Sequence, residues 1–197
     1  MKLIFATQNK NKASEIKAVL PTIIDLLTLS DLGNPIDIPE TEQTIEGNAI
    51  LKARFVHEHY ATSCFADDTG LEIEALNNLP GVYSARYAGL EKNDEANMNK
   101  VLNELEGVLD RKACFRTVIA LIIGNNLECF EGIIEGKIAT EKKGENGFGY
   151  DPIFIPNGYD KTFAEMTLVE KNRLSHRAIA TKKMIDYLHQ NFDQTNL

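Results

Sequence analysis

The pattern of apolar and polar positions along the chain predicts both helices and strands. Apolar residues at helical spacing predict helices over residues 12–20, 45–60, 94–105 and 175–192. Apolar runs and period-two alternation predict strands over residues 2–6, 64–67, 71–75, 114–123 and 127–138. The last two are separated by Gly124-Asn125-Asn126, a composition typical of a hairpin turn. Short apolar strands and a long hairpin, mixed with helices, predict an α/β fold with a mixed sheet and flanking helices.

The composition fits one folded domain. The chain has 197 residues, 43% of them hydrophobic, which is enough to bury a core, and no repeat or low-complexity linker divides it. We therefore expect a single domain over residues 1–197, with a frayed end over residues 195–197. No apolar run approaches the roughly 20 residues that span a bilayer, and no secretory leader is recognisable. The expectation is a cytoplasmic protein that does not contact membranes.

The charge and the cysteines limit the class of partner and of site. At a net charge of −8, the chain lacks the clustered basic surface that nucleic-acid binding requires. A small phosphorylated ligand is compatible with this charge, since a few local cations and a divalent metal can bridge carboxylates to phosphates. Cys64, Cys114 and Cys129 are far apart and form no C-x-x-C pair, which predicts buried free thiols rather than disulfides or a zinc site.

A polar turn follows the first predicted strand and leads into the first predicted helix. It reads Thr7-Gln8-Asn9-Lys10-Asn11-Lys12. Amide groups at a helix N-terminus and two lysine ammonium groups suit a polyphosphate, and Glu15 in the second turn can pair with a lysine. The stretch is not a Walker A loop, because the glycines and the Gly-Lys-Ser/Thr ending are missing. An ordinary solvated turn is the alternative interpretation.

Two adjacent acids, Asp67 and Asp68, end an apolar strand and precede Thr69 and Gly70. Neighbouring residues on a strand point to opposite faces, so one carboxylate can enter a site while structural hydrogen bonds hold the other. Magnesium prefers carboxylate and phosphate oxygens, and Glu40 is a candidate second ligand. The alternative is that the residues from Asp67 to Gly70 form a turn with Asx-type hydrogen bonds.

The run GENGFGYDPIF, residues 144–154, combines glycines, two aromatics, an acid and a proline. Its glycines let the backbone approach a ligand closely, and Phe148 and Tyr150 offer flat faces on which a base can stack. Hydrogen-bond donors for a phosphate or a base oxygen occur further along the chain, at Lys171, His176 and Arg177. This pattern predicts a nucleobase pocket, and a glycine-rich bend that closes a sheet is the alternative.

Together these blocks resemble the inosine triphosphate pyrophosphatase family, the Ham1-like dITP/XTP pyrophosphatases that act on non-standard purine nucleotides. The matching blocks occur in family order and cover about half of the chain: FATQNKNKASEI, IPE, EGNAILKA, FADDTGLEIEALNNLPGVYSARYAG, GENGFGYDPIFIP and TFAEMTLVEKNRLSHRA. The resemblance implies the ITPase-like (Maf/Ham1) fold, with two lobes around a central cleft, and a homodimer. It also implies magnesium-dependent hydrolysis of a purine nucleoside triphosphate to the monophosphate and pyrophosphate.

The resemblance further implies roles for individual residues. Asp68 would be the catalytic carboxylate that binds magnesium and accepts a proton, and Glu40 the further metal ligand. Substrate contacts are implied for Thr7, Gln8, Asn9, Lys10, Asn11, Lys12, Thr69, Phe148, Gly149, Tyr150, Asp151, Lys171, His176 and Arg177. The turn residues would bind phosphates, and Phe148 would stack on the purine. Less specific matches are Lys52 and Arg86, and the chain departs from common family residues at Gln8 and Thr69.

Two other functions share parts of this pattern. A non-catalytic purine-nucleotide-binding protein would keep the base loop but would not need Glu40, Asp67 and Asp68. A Maf-like pyrophosphatase that acts on pyrimidine or methylated nucleotides would share the architecture. The FGYD loop and the SHR segment, residues 175–177, favour a purine instead, because a donor there matches the 6-oxo group of hypoxanthine and xanthine and opposes the 6-amino group of adenine.

Overall fold

The chain folds into two compact units. The computed structural model describes residues 1–33 and 38–192, so the end expected to fray lies outside the described residues. Unit 1 comprises Met1–Asp68, Thr117–Gly132 and Arg177–Leu197, and unit 2 comprises Thr69–Arg116 and Ile133–His176.

The mixed α/β class predicted from the sequence is confirmed. The strands are β1 Lys2–Phe5, β2 Asp25–Thr28, β3 Cys64–Ile73, β4 Leu79–Gly81, β5 Lys112–Ile123, β6 Asn126–Ile138 and β7 Phe154–Pro156. Within the described residues these seven form one sheet in the order β2-β1-β3-β5-β6-β7, with β4 paired to β3. β1 pairs in parallel with β2 and β3, whereas β4 and β7 run antiparallel to their partners. The sheet is therefore mixed.

All predicted helices are present, and their ends follow from local capping. The helices are α1 Lys10–Lys17, α2 Ile45–Tyr60, α3 Asp94–Glu104, α4 Leu168–Lys171 and α5 His176–Asn191. α2 has the predicted bounds, because the Thr44 side chain caps its start and Ala61 leaves it in the left-handed conformation. α1 begins at Lys10 rather than at residue 12, because the Asn9 side chain accepts hydrogen bonds from the amides of Asn11 and Lys12.

β3 differs from the prediction in a way that matters for the site. The sequence suggested two strands, over residues 64–67 and 71–75, with an acidic corner between them, but the structure has one continuous strand of 10 residues. The alternative of an Asx-type turn from Asp67 to Gly70 is therefore wrong. β2, β4 and β7 were not predicted, because each has only three or four residues and carries no usable periodicity.

In unit 1, alternation along the strands sends successive side chains to two different apolar clusters. One cluster packs α2 against every second strand residue, including Ile4, Ala66 and Ala120. The other packs α1 and α5 against the residues between them, including Phe5 and Phe65. Because neighbouring strand residues point to opposite faces, α2 covers one face of these strands and α1 with α5 covers the other.

Unit 2 has a core of its own. Apolar residues of α3 and the second half of β3 pack with aromatic side chains, among them Phe115, Phe154 and Phe163. The rings of Phe115 and Phe154 lie 4.7 Å apart between centroids, in a tilted arrangement. Tyr150, Ile153 and Phe154 belong to this core, so it anchors the C-terminal end of the loop that was predicted to bind a base.

Two further predictions concern the cysteines and membranes. The three cysteines, all in the described part of the chain, are free thiols; Cys64 is buried, but Cys129 is exposed, so the prediction of buried thiols is wrong there. Burial raises the pKa of the Cys64 thiol to about 12. Over residues 1–33 and 38–192, no helix combines the length and the apolar character needed to cross a membrane.

Candidate active site

The two adjacent acids of β3 point to opposite faces of the strand, as predicted. Asp67 contacts Lys12 of α1 and Arg177 of α5, whereas Asp68 contacts Lys52 of α2. These partners belong to the helices that cover the two faces. The alternation of a continuous strand is thus what separates the surroundings of the two carboxylates.

Asp68 lies beside a second carboxylate and a buried lysine. The Lys52 ammonium donates to Asp68 Oδ1 at 2.9 Å and to Glu40 Oε1 at 2.8 Å. The other oxygen of Asp68, Oδ2, is 3.5 Å from Asn48 Nδ2, which is the outer limit of a hydrogen bond. Oδ2 is therefore the more weakly held oxygen of this carboxylate.

Burial and charge shift the pKa values of this cluster. Burial raises the pKa of Asp68 above its usual range, although Lys52 opposes the shift. Burial by itself would lower the pKa of Lys52, but the carboxylates of Asp68 and Glu40 outweigh it and raise that pKa. Lys52 therefore stays a cation, and Asp68 is a better proton acceptor than an exposed aspartate.

The carboxylates of Glu40 and Asp68 fit the ligand preference of magnesium. Both reach the same Lys52 nitrogen, so their oxygens share one neighbourhood. Over the part of the chain that the structure describes, no group of three or more His, Cys, Asp or Glu side chains is placed to hold a metal ion. Two carboxylates suit Mg²⁺, which is commonly held by one or two of them and completes its shell with water and substrate phosphates.

Asp67 belongs to a buried chain of alternating charges. Its Oδ1 accepts from Lys12 Nζ at 3.0 Å, and its Oδ2 accepts from Arg177 Nε at 3.0 Å. The Arg177 guanidinium, 2% exposed, also donates to Glu15, which the sequence had suggested could pair with a lysine. Burial alone would raise the pKa of Asp67, but the cations Lys12 and Arg177 hold it well below its usual range. Asp67 is thus the carboxylate held by structural contacts.

The predicted phosphate-binding turn has fewer available amides than expected. The Thr7 hydroxyl accepts from the amide of Asn9, and Asn9 Oδ1 accepts from the amides of Asn11 and Lys12. Gln8 and Lys10 are exposed, and the Lys12 side chain keeps 17% of its surface exposed beside Asp67. Two of the helix N-terminal amides are therefore engaged by the cap, and the polar and cationic side chains remain as groups for binding phosphate.

In unit 2, a buried ion pair supports the predicted base loop. Lys171 Nζ lies 2.6 Å from Asp151 Oδ2, and both side chains are almost completely buried. The same ammonium lies 5.0 Å from the centre of the Phe148 ring. Gly147 has φ +77°, and a Cβ there would lie 2.1 Å from Asp151 Oδ2, so this position requires glycine. The loop is therefore built around the Asp151 carboxylate.

The remaining predicted substrate residues differ in accessibility. Tyr150 is only 5% exposed and donates its hydroxyl to the Ser84 carbonyl at 2.8 Å, so its ring belongs to the core rather than to a stacking surface. His176 is buried and stacks on Phe115, with ring centroids 4.6 Å apart. Thr69 is half-buried on β3, and Gly149 is half-buried in the loop with φ +62°.

Sequence reasoning underrated or missed several polar residues of these surroundings. Lys52 matched the family only weakly, yet it links Glu40 to Asp68. The available signal was spacing, because Asn48 and Lys52 stand at i and i+4 on α2 and so share a helical face. The role of Asp94, which accepts from the amide of Gly149 at 2.9 Å, had no such signal, since the two residues are far apart in sequence.

Comparisons with known proteins support one family. The sequence profile of the Ham1 family matches residues 3–187. A dITP/XTP pyrophosphatase of Christiangramia forsetii is 56% identical over 95% of this chain and 99% of its own length. A dITP/XTP pyrophosphatase of Bacillus subtilis is 49% identical over 92% of this chain and 93% of its own length. The solved structure of the Staphylococcus aureus Ham1 protein is 40% identical, with a TM-score of 0.87 over 96% of this chain and 99% of its own. The chain therefore belongs to the Ham1 family, as the sequence blocks had indicated.

Proposed function

We propose that the protein is a magnesium-dependent pyrophosphatase that hydrolyses dITP, ITP, XTP and dXTP to the monophosphate and pyrophosphate. The observation that carries the proposal is the placement of Asp68, a buried carboxylate with a raised pKa beside Glu40 and Lys52. Relatives about half identical to this chain bear the name dITP/XTP pyrophosphatase. Removal of such nucleotides from the pool is the role that this activity serves.

Asp68 is proposed to accept the proton of the attacking water. The water oxygen bonds to the α-phosphorus while the bond from that phosphorus to the bridging oxygen breaks, and pyrophosphate leaves with the bridging oxygen. The water proton passes to Asp68, for which the weakly held Oδ2 is the suitable atom. The raised pKa of Asp68 favours this role, because it brings the proton affinity of the carboxylate closer to that required near neutral pH.

Cationic groups of unit 1 are proposed to stabilise the charge on the phosphates. Glu40 and Asp68 would hold magnesium, which supplies Lewis-acid stabilisation of that charge when bound. Lys52 keeps the two carboxylates together, and Lys10 and Lys12 add positive charge near the polar turn. The Lys10 and Lys12 ammonium groups can bind phosphate even though the N-cap engages two of the helix N-terminal amides.

Unit 2 is proposed to recognise the base. Phe148 is the half-buried aromatic of the loop and the candidate stacking surface, and the Lys171 ammonium lies 5.0 Å from the centre of its ring. His176, in the SHR segment, is a second candidate donor. A donor that faces the 6-position of the purine accepts hypoxanthine and xanthine, which carry an oxo group there. Adenine carries an amino group at that position, so the donor would find no acceptor and adenine nucleotides would bind more weakly.

The test is a turnover assay with the purified protein on dITP, XTP, dGTP and dATP, with and without magnesium. Pyrophosphate and the nucleotide products are separated and identified. We expect pyrophosphate and dIMP from dITP, only with metal, and much faster than from dGTP or dATP. Orthophosphate with a diphosphate would place attack at the γ-phosphorus and overturn the mechanism.

Two further results would point to the other functions. Binding of dITP with magnesium but no product after long incubation would indicate a nucleotide-binding protein. Faster turnover of methylated or pyrimidine nucleotides, added to the same panel, would indicate a Maf-like pyrophosphatase.

A further inference from the structure

The backbone around Phe148 is held by two carboxylates from different elements. The amide of Phe148 donates to Asp151 Oδ2 at 2.9 Å, and the amide of Gly149 donates to Asp94 Oδ2 at 2.9 Å. These two amides flank the Cα of Phe148, so together they fix the direction in which its ring leaves the loop. Hydrogen bonds from an amide to a carboxylate are charge-assisted and therefore stronger than neutral ones.

The two anchors differ in how firmly they are built in. Asp151 is almost completely buried, pairs with Lys171, and passes so close to Gly147 that no larger residue fits there. Asp94 is exposed and stands at the first position of α3. The cap of that helix is Asn93, whose Oδ1 accepts from the amide of Ala96 at 2.9 Å. α3 therefore does not need the Asp94 side chain for its N-cap.

Gly149 is held by few contacts besides the two hydrogen bonds on its peptide with Phe148. Its φ is +62°, and a Cβ built there meets no described atom within 4 Å, so side-chain packing does not restrain the loop on that side. The hydrogen bond from its amide to Asp94 is the contact that ties this part of the loop to α3. Loss of the Asp94 carboxylate would remove one of the two hydrogen bonds on the peptide between Phe148 and Gly149. The other, from the Asp151 amide to the Phe148 carbonyl at 3.2 Å, would remain, so the C-terminal side of Phe148 would be held less firmly.

We propose that Asp94 is a positioning residue for base recognition, which holds the Phe148 ring in the orientation that stacks on the purine. This inference deepens the proposed function and rests on it for the identity of the ligand. Its specific consequence is that Asp94 affects the part of the substrate that carries the base and leaves the triphosphate part unaffected.

The experiment compares Asp94→Ala, Asp94→Asn and Glu95→Ala with the wild type. Glu95→Ala is the matched control, because it removes the other acid from the first turn of α3, whose partner is Lys142 and not the Gly149 amide. Calorimetry with magnesium measures the Kd of dITP, in the form of its non-hydrolysable α,β-imido analogue, and of inorganic tripolyphosphate. Turnover of dITP itself gives KM and kcat. Tripolyphosphate has no base and so reports on phosphate binding alone.

We expect Asp94→Ala to raise the Kd and KM for dITP about fivefold. This change corresponds to the loss of one exposed, charge-assisted hydrogen bond. Its kcat and its Kd for tripolyphosphate should stay unchanged, since no phosphate contact is altered. Asp94→Asn keeps an acceptor oxygen and should lie between Asp94→Ala and the wild type. Glu95→Ala should match the wild type.

Three results would overturn the assignment of Asp94. These are an unchanged Kd for dITP in Asp94→Ala, an equal loss for dITP and tripolyphosphate, and an equal rise in Glu95→Ala. A wild type that binds dITP without hydrolysing it would refute the proposed reaction only, because the Kd comparison would still test Asp94. A wild type that does not bind dITP would overturn both proposals.

Discussion

Asp67 and Asp68 are adjacent in sequence, but their carboxylates have different surroundings. Asp67 lies between the cations Lys12 and Arg177 and has a depressed pKa, whereas Asp68 has a raised pKa beside Lys52. A carboxylate with a depressed pKa stabilises the folded protein, and one with a raised pKa is charged at a cost in stability. The two neighbouring residues therefore differ in their roles, since Asp67 is held by structural contacts and Asp68 has the surroundings of the proposed proton acceptor.

The substitution Asp68→Asn should abolish turnover and leave the fold intact. General-base catalysis contributes about 10²–10⁴-fold, and loss of a metal ligand adds to this, so kcat for dITP should fall by at least about 10³-fold. Asparagine removes a charge that burial disfavours, so the urea midpoint should not fall markedly. Steady-state kinetics with urea unfolding measures both quantities. A fully active variant would refute the role of Asp68.

The matched substitution Asp67→Asn should act mainly on stability. It leaves Arg177 and Lys12 without the carboxylate between them, and breaking a buried ion pair costs about 3–5 kcal/mol. Because the pKa of Asp67 in the folded protein lies below the usual value of 3.8, this contribution is fully present well above pH 4 and is lost as the pH falls through the folded pKa. Urea unfolding of both proteins at pH 7 and pH 3 should show a large difference that shrinks in acid. A difference that grows in acid would contradict the assignment.

At the scale of elements, the glycines in the loop of residues 144–154 meet different structural requirements. Gly147 and Gly149 both have positive φ, but only Gly147 lies against another group, the Asp151 carboxylate. Asp151 in turn pairs with Lys171 and accepts from the amide of Phe148. A side chain at Gly147 would therefore disturb the whole support of the loop.

We predict that Gly147→Ala is more damaging than Gly149→Ala. Gly149→Ala has open space and should cost about 1–2 kcal/mol of unfolding free energy for the left-handed conformation alone. Gly147→Ala adds a clash at 2.1 Å with Asp151 Oδ2, so it should cost more and also raise KM for dITP. Chemical denaturation and steady-state kinetics of the two variants test the ranking. Equal effects would mean that Asp151 moves aside without consequence.

What the sequence predicts depends on whether the determining contacts are local. The bounds of α2 were predicted to the residue, because its cap at Thr44 and its apolar face lie within the helix itself. β3 was divided in two, because two acids, a threonine and a glycine in a row resemble a turn. They remain in a strand because Lys12, Lys52 and Arg177 pair with the acids, and Arg177 is 110 residues from Asp67.

The same distinction holds for the candidate site. Residue types and motif order supplied candidate groups in both units, but the accessibility of these groups was not readable from them. Tyr150 has the composition of a stacking residue and is nevertheless part of the core, since its hydroxyl finds the Ser84 carbonyl 66 residues away. The contact between Asp94 and Gly149 is likewise set by tertiary packing.

At the scale of the whole molecule, net charge and local charge act in opposite directions. The chain carries −8, yet lysines concentrate at the turn and beside the two carboxylates of unit 1. Long-range attraction of polyanions is therefore disfavoured, while the metal-bound triphosphate of the proposed function would meet cations at close range. This balance fits a nucleotide ligand better than a nucleic acid.

The family resemblance predicts a homodimer, and the charge of the chain makes that prediction testable in a specific way. Two chains of −8 repel each other, and salt screens repulsion between exposed charges, with a Debye length of about 8 Å at 0.15 M. If the protein is a dimer, sedimentation at micromolar concentration should give about twice the 22.0 kDa of the chain. Because salt screens the repulsion, the dimer fraction should rise between low and physiological salt. A monomer at every salt concentration would contradict the dimer. A dimer that weakens as salt is added would show that ion pairs across the interface, and not apolar contacts, hold the two copies together.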